Sequence, residues 1–161
     1  MAQAPGSYVL ISLTIDDSSG TRKLTVGYTM MAFMQNDTTP VISTYPGKGD
    51  IVLPNGSNRP FAFVIRYDGG SSTGYIWNSD PTQCLAISDA GTVPVFGGRL
   101  PAGFTGPTNN GGGEVCFIDA NNAPKKQYEY RIQLIADPNG RFGGSPPLVL
   151  DPKITNGGVN I

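Results

Sequence analysis

The chain contains no histidine. That removes the commonest general base and the commonest neutral metal ligand. A serine or cysteine nucleophile normally hands its proton to a neighbouring histidine, so Ser-His-Asp and Cys-His arrangements are excluded outright. Charge is scarce too: 14% of residues are charged, 11 basic against 12 acidic, where about a quarter is usual. A net charge of -1 offers no positive field to displace counterions from a nucleic acid, and no polybasic stretch for a membrane surface. No run approaches the roughly 20 apolar residues of a spanning helix. The start, Met1-Ala2-Gln3-Ala4-Pro5-Gly6-Ser7, lacks the basic region of a cleaved secretory signal, and the apolar run after it ends at Asp16-Asp17 without a small-residue cleavage site. These absences predict a cytoplasmic protein with neither nucleic-acid nor membrane partners. Cysteine is limited to Cys84 and Cys116, both in apolar runs. Two thiols packed as small hydrophobes are the expectation, with a disulfide between them as the alternative.

What the chain has in quantity is glycine, 22 residues, and proline, 14, without a collagen-like period. Between these breakers lie short alternating runs. The clearest is Gln127-Tyr128-Glu129-Tyr130-Arg131-Ile132-Gln133-Leu134-Ile135, where Tyr128, Tyr130, Ile132 and Leu134 alternate with polar neighbours. Side chains on a strand point to opposite faces in turn, so this run has one apolar and one wet face, and it predicts a central strand. Residues 8–15 repeat the pattern with Val9, Ile11, Leu13 and Ile15 inward. After a turn at Asp16-Asp17-Ser18-Ser19-Gly20, residues 22–28 place Leu24, Val26 and Tyr28 on one face, making a hairpin. Residues 29–34, with Met30, Met31 and Met34, read equally as strand or short helix, with the methionines in the core. Further strands are expected at 40–43, 50–53, 61–67 (Phe61, Phe63, Ile65 and Tyr67 inward), 75–77, 84–87, 93–96, 114–119 and 147–154. Pro40, Pro46, Pro54 and Pro60 point to edges and turns rather than central ladders. Glycines 69, 70 and 74 mark one turn, and Asp137-Pro138-Asn139-Gly140 another. Residues 97–113 form the longest irregular stretch, read as either a mobile loop or a partner-binding or assembly loop. Many short strands with turn signals between them predict an all-β fold: a single antiparallel β-sandwich over residues 1–161, jelly-roll or immunoglobulin-like, with little or no helix.

Tests for chemistry find little. Asp16, Asp17, Asp50, Asp80, Asp137 and Asp151 sit at strand ends or turns, where carboxylates commonly accept backbone N–H groups rather than form a hydrolytic pair. Asp16-Asp17-Ser18-Ser19 and Asp119-Ala120-Asn121-Asn122 offer oxygens but follow no calcium-loop spacing. Gly111-Gly112-Gly113 lacks the lysine and Ser/Thr of a phosphate loop. The expectation is therefore no enzyme, no catalytic residues, no metal and no cofactor. The best small-ligand candidate is a glycan: Tyr75, Trp77, Asn78 and Asp80 supply aromatic faces and polar groups for a pyranose ring.

The opening Tyr8-Val9-Leu10-Ile11-Ser12-Leu13-Thr14-Ile15-Asp16 resembles the start of the PixA/AidA inclusion-body protein family, which opens with a strand ending in a Thr-Ile-Asp-type step. The close is similar as well: Tyr128-Glu129-Tyr130-Arg131-Ile132-Gln133-Leu134, then Leu150-Asp151-Pro152-Lys153-Ile154, matches the family's Tyr-rich strand, turn and Asp-Pro-x-Ile strand. The likeness covers the two ends only, and Pro146-Pro147-Leu148-Val149-Leu150 stands where the family carries aromatic residues. It implies a bacterial, cytoplasmic β-sandwich that accumulates or assembles, and it transfers no catalytic residues. Sparse charge leaves little repulsion between copies. A self-associating structural protein, a homo-oligomer, is therefore the expected function. A lectin-like glycan binder and a viral or phage capsid or decoration protein are the alternatives.

Overall fold

A computed structural model describes residues 7–17, 20–35, 39–45, 51–53, 60–67, 73–111, 113–122 and 126–155, and the side chains of all but 33–35, 39–45, 153 and 155. Its strands are β1 (Ser7–Asp16), β2 (Lys23–Gln35), β3 (Thr39–Tyr45), β4 (Ile51–Val52), β5 (Phe61–Arg66), β6 (Tyr75–Ile76), β7 (Leu85–Asp89), β8 (Phe104–Gly111), β9 (Glu114–Asp119), β10 (Gln127–Ala136), β11 (Leu148–Leu150) and β12 (Lys153–Thr155). A 3-10 turn, Pro81–Gln83, precedes β7.

These strands make two packed sheets, the all-β sandwich expected from the alternation. The first runs β3-β2-β1-β5-β9-β8; the second runs β11-β10-β12-β4, with β6 and β7 also on β10. Most pairings are antiparallel, but β1 runs parallel to β5 and β12 parallel to β4. β10 is the centre of the second sheet. Tyr128 faces Asp89 of β7 on one edge and Ile154 of β12 on the other, and Ile132 faces both Leu85 and Leu150. The expected closing strand is split into β11 and β12 at Asp151-Pro152. Proline has no N–H to offer the ladder, but the Pro152 carbonyl still accepts from the Tyr130 N–H at 3.0 Å.

The core lies between the inner faces. Val9, Ile11, Leu13, Phe61, Phe63, Ile65, Val115 and Phe117 come from the first sheet; Leu85, Ile87, Tyr128, Tyr130, Ile132, Leu134 and Ile154 come from the second. Phe63 stacks on Phe117 across the β5–β9 pair at 4.5 Å between centroids. Phe104 meets the edge of Tyr128 at 4.7 Å, joining the two sheets.

Four expectations are corrected. The ambiguous 29–34 segment is strand, the continuation of β2. Within it Met31 is in the core, whereas Met30 is half-buried on the outer face. Tyr28 does not share a face with Leu24 and Val26: it is 50% exposed, while Thr29 and Met31 are buried. The cause is a bulge. Ser12 faces Tyr28 but Leu13 faces Val26, so Gly27 is an extra residue and the pleat changes phase there. A Cβ at Gly27 would stand 2.9 Å from Thr14 Cγ2, so the strands' close approach favours glycine. Residues 93–96 are not a strand. Val93 and Val95 are 67% and 72% exposed and Pro94 interrupts the donors between them. Residues 104–111, expected to be irregular, are β8, an edge strand on β9 whose register slips around Gly106-Pro107. Residues 68–72 of the turn expected at 68–74, and the breaks at Pro46 and Pro54, lie outside the described residues.

The Thr29 hydroxyl is buried with no hydrogen-bond partner among the described residues. Thr29→Val is isosteric and removes that desolvation cost, so it should stabilise by about 1 kcal/mol in denaturant unfolding. Ile132→Ala, in the wholly buried row of β10, should destabilise by roughly 2–5 kcal/mol; a loss under about 1 kcal/mol would place the core elsewhere.

Candidate functional site

The residues proposed for a glycan do not form a stacking platform. Tyr75 is 1% exposed. Its ring is stacked on Phe142 at 5.6 Å and its hydroxyl accepts from Arg22 Nε at 3.0 Å. No open face is left for a sugar. Trp77 is half-buried against the core, and its indole N–H donates to the Gly113 carbonyl at 2.8 Å. Asn78 Oδ1 accepts from the Asp80 N–H at 2.9 Å. Asp80 Oδ1 in turn accepts from Thr82 N–H and hydroxyl at 3.0 and 2.7 Å, capping the 3-10 turn. Tyr75 opens β6 and the other three lie between β6 and β7; Asn78 and Asp80 are engaged locally, whereas Tyr75 and Trp77 bond to Arg22 and Gly113, far away in the chain.

Other acids also serve the backbone. Asp119 Oδ1 accepts from the Asn121 N–H and Asp137 Oδ1 from the Asn139 N–H. Asp151 is paired with Arg131 Nε at 2.6 Å. No group of three His, Cys, Asp or Glu side chains able to hold a metal occurs among the described residues.

The cysteines are both free and lie in different places. Cys84 is in the core as expected, its thiol against the Asn78 carbonyl at 3.3 Å. Burial above all pushes its pKa up to about 11, with the Asp80 charge adding to it against that hydrogen bond. Cys116 is not a core thiol: it is half-buried on the outward side of β9, accepting from Asn110 Nδ2 at 3.0 Å. Burial raises its pKa too, with Glu114 acting in the same direction.

The outward side that carries Cys116 is the feature the sequence reading missed. The register of β2, β1, β5 and β9 aligns Ala32, Tyr8, Ala62 and Ile118 in one row. The next row is Met30, Leu10, Val64 and Cys116, and the third is Tyr28, Ser12, Arg66 and Glu114. Two full rows across four strands are thus apolar. None of these side chains belongs to the core between the sheets. Tyr8 remains 40% exposed. The third row is wetter: Arg66 reaches Glu114 Oε2 with Nη2 at 2.9 Å. The other outer face is built differently. Gln127, Glu129, Arg131 and Gln133 of β10 stand on it, and a cleft of about 350 Å³ there is lined by Glu129, Arg131, Asp151, Val93 and Pro94. A signal for the apolar face was present. In Tyr8-Val9-Leu10-Ile11, Phe61-Ala62-Phe63-Val64-Ile65 and Val115-Cys116-Phe117-Ile118 both alternating sets are apolar, unlike β10.

No family model and no curated protein matches the chain. No described helix is long and apolar enough to cross a membrane.

The thiol geometry gives a measurable contrast. With a pKa near 11, about a thousandth of Cys84 is thiolate at pH 8, so iodoacetamide should reach it only through unfolding. Cys116 should be alkylated in the native protein, faster as pH rises. Equal native rates at the two sites, read by peptide mass spectrometry, would contradict these placements.

Proposed function

We propose that this chain is a non-enzymatic structural protein that associates with copies of itself through the outer face of its first sheet. The observation that carries this reading is the contrast between the two outer faces. One carries Gln127, Glu129, Arg131 and Gln133 along β10, with Val149 beside them; on the other two rows across four strands are apolar, with Tyr8 exposed, Leu10 buried and the rest half-buried. A contiguous apolar patch on a soluble β protein commonly marks an interaction surface. The occupant is a second copy because the face is self-complementary. Its apolar rows can meet their own equivalents across a two-fold axis, and its ionic row holds both signs, Arg66 and Glu114, so each copy brings the counter-charge of the other. The net charge of -1 adds little repulsion between copies. The likeness of the chain's ends to the PixA/AidA inclusion-body proteins agrees with a role in accumulation. The absence of histidine and the protonated state of both thiols favour contact over chemistry. A capsid or decoration protein would use the same kind of contact between copies. A glycan reading has no comparable support, since Tyr75 is enclosed.

The patch sets the strength. Strands about 4.8 Å apart and rows about 7 Å apart give roughly 400 Å² per copy over these three rows, at the small end for a specific interface. The association is therefore expected to be weak and concentration-dependent. Sedimentation across a wide concentration range should show reversible self-association. Tyr8→Lys, at an exposed position, should weaken it about 30-fold or more by leaving a charge unpaired in the contact. Val149→Lys, on β11 of the other sheet, is the control and should leave it unchanged. A strict monomer at the highest concentration, or equal loss from both variants, would end this reading.

A further inference from the structure

A second feature lies apart from the association face, where the β1–β2 hairpin meets the connection between β10 and β11. Arg22 lines a cleft of about 300 Å³ there, together with Thr21, Tyr75, Pro146, Pro147 and Leu148. Its guanidinium is fixed from two directions. Nε–H donates to the Tyr75 hydroxyl at 3.0 Å, and the group lies 3.7 Å from the centroid of the Phe142 ring. The support is itself rigidly placed. Tyr75 is buried and stacked on Phe142. The Gly74 carbonyl accepts from the Asp137 N–H at 2.9 Å. A Cβ at Gly74, where φ is +84°, would stand 2.6 Å from Phe142 Cδ2. The turn carrying Phe142 is closed by Gly140 N–H to Asp137 O and Ser145 N–H to Phe142 O, both 2.9 Å.

The charge at this place has no ion-pair partner among the described residues. A second guanidinium, Arg141, lies 4.7 Å from the same Phe142 centroid. The ion pairs among the described residues are Arg66–Glu114, Lys126–Asp89 and Arg131–Asp151, and none includes Arg22 or Arg141. An aromatic face attracts a cation but does not neutralise it. Of the chain's 11 basic residues, two gather on one ring, and neither is in an ion pair among the described residues.

We propose that the Arg22 cleft is a binding site for a small aliphatic carboxylate. The Tyr75 hydroxyl occupies Nε and sets the plane of the guanidinium. The two Nη groups, which have no partner among the described residues, remain as the parallel donors that a carboxylate accepts in bidentate fashion. Pro146, Pro147 and Leu148 supply an apolar wall for an aliphatic body. The volume suits a ligand of a few carbon atoms. Only one guanidinium fork lines the cleft, which favours a carboxylate over a more highly charged phosphate.

The test is a titration of the ¹⁵N-labelled full chain with butyrate, read at the amide signals of Gly20 and Thr21. Butyrate should produce a saturable shift; n-butanol should produce none, and inorganic phosphate should bind more weakly. Arg22→Lys keeps the charge but loses the fork, and should weaken butyrate binding at least about tenfold. Because Arg22 also ties the hairpin to Tyr75, a second variant guards against misfolding. Pro147→Glu, at an exposed position, places a tethered carboxylate at the cleft and should abolish the butyrate shift with the rest of the spectrum preserved. Non-saturable shifts, an equal response to n-butanol, tighter binding of phosphate, or wild-type butyrate binding by Pro147→Glu would each overturn the assignment.

Discussion

The pleat of β10 is the constraint from which the rest of the molecule follows. Successive side chains must leave a strand on opposite sides, and in β10 one side is Tyr128, Tyr130, Ile132 and Leu134, all within 2% of complete burial. Fully burying an aliphatic side chain is worth roughly 1.5–3 kcal/mol, so a one-residue slip of this strand would forfeit several such terms at once. That fixes its register against β7 on one edge and β11 and β12 on the other. The polar alternates, Glu129, Arg131 and Gln133, are thereby committed to the outside. There Arg131 meets Asp151, and Gln133 Nε2 reaches the Gln83 carbonyl at 2.6 Å. One periodicity builds the core and dictates the chemistry of the surface behind it.

The same rule explains what was legible in the sequence and what was not. β1, β5, β9 and β10 were readable because long-range packing enforces the alternation that their residues already show. Tyr28 was misassigned because alternation is only a local count. A bulge at Gly27 resets the count, and it appears only in the pairing with β1. β8 was hidden for the opposite reason. Its residues Thr105, Gly106, Thr108, Asn109 and Asn110 are exposed, so no burial pattern was selected, and its strand character comes from hydrogen bonds to β9. Residues 93–96 show the converse error: apolar valines with no sheet neighbour remain irregular. Among the candidate site residues, the local chemistry of Asn78 and Asp80 was visible as turn chemistry. The burial of Tyr75 was not, because Phe142 and Arg22, which cover it, lie far from it in the chain.

The two sheets also differ in how much freedom their outer faces retain. A strand that is apolar on one side only declares its solvent face, as β10 does. In β1, β5 and β9 part of the outward set is apolar as well: Tyr8, Leu10, Ala62, Val64, Cys116 and Ile118, beside Ser12, Arg66 and Glu114. Of these, Leu10 is buried, Val64 and Ile118 are half-buried and Tyr8 is exposed.

Arg22 and Arg66 show how context separates structural from recognitional cations in the same fold. Arg66 has Glu114 directly opposite on β9, with Nε and Nη2 at 3.1 and 2.9 Å from one carboxylate oxygen. Cross-strand register supplies its counter-charge within the chain. Arg22 stands just before β2 begins, beyond the reach of that pairing, and is held by rings instead. The Phe142 ring orients the guanidinium without consuming a donor, and the Tyr75 hydroxyl takes Nε. A cation restrained in position yet left with unspent donors beside a cleft is arranged for an anion that the fold does not itself provide.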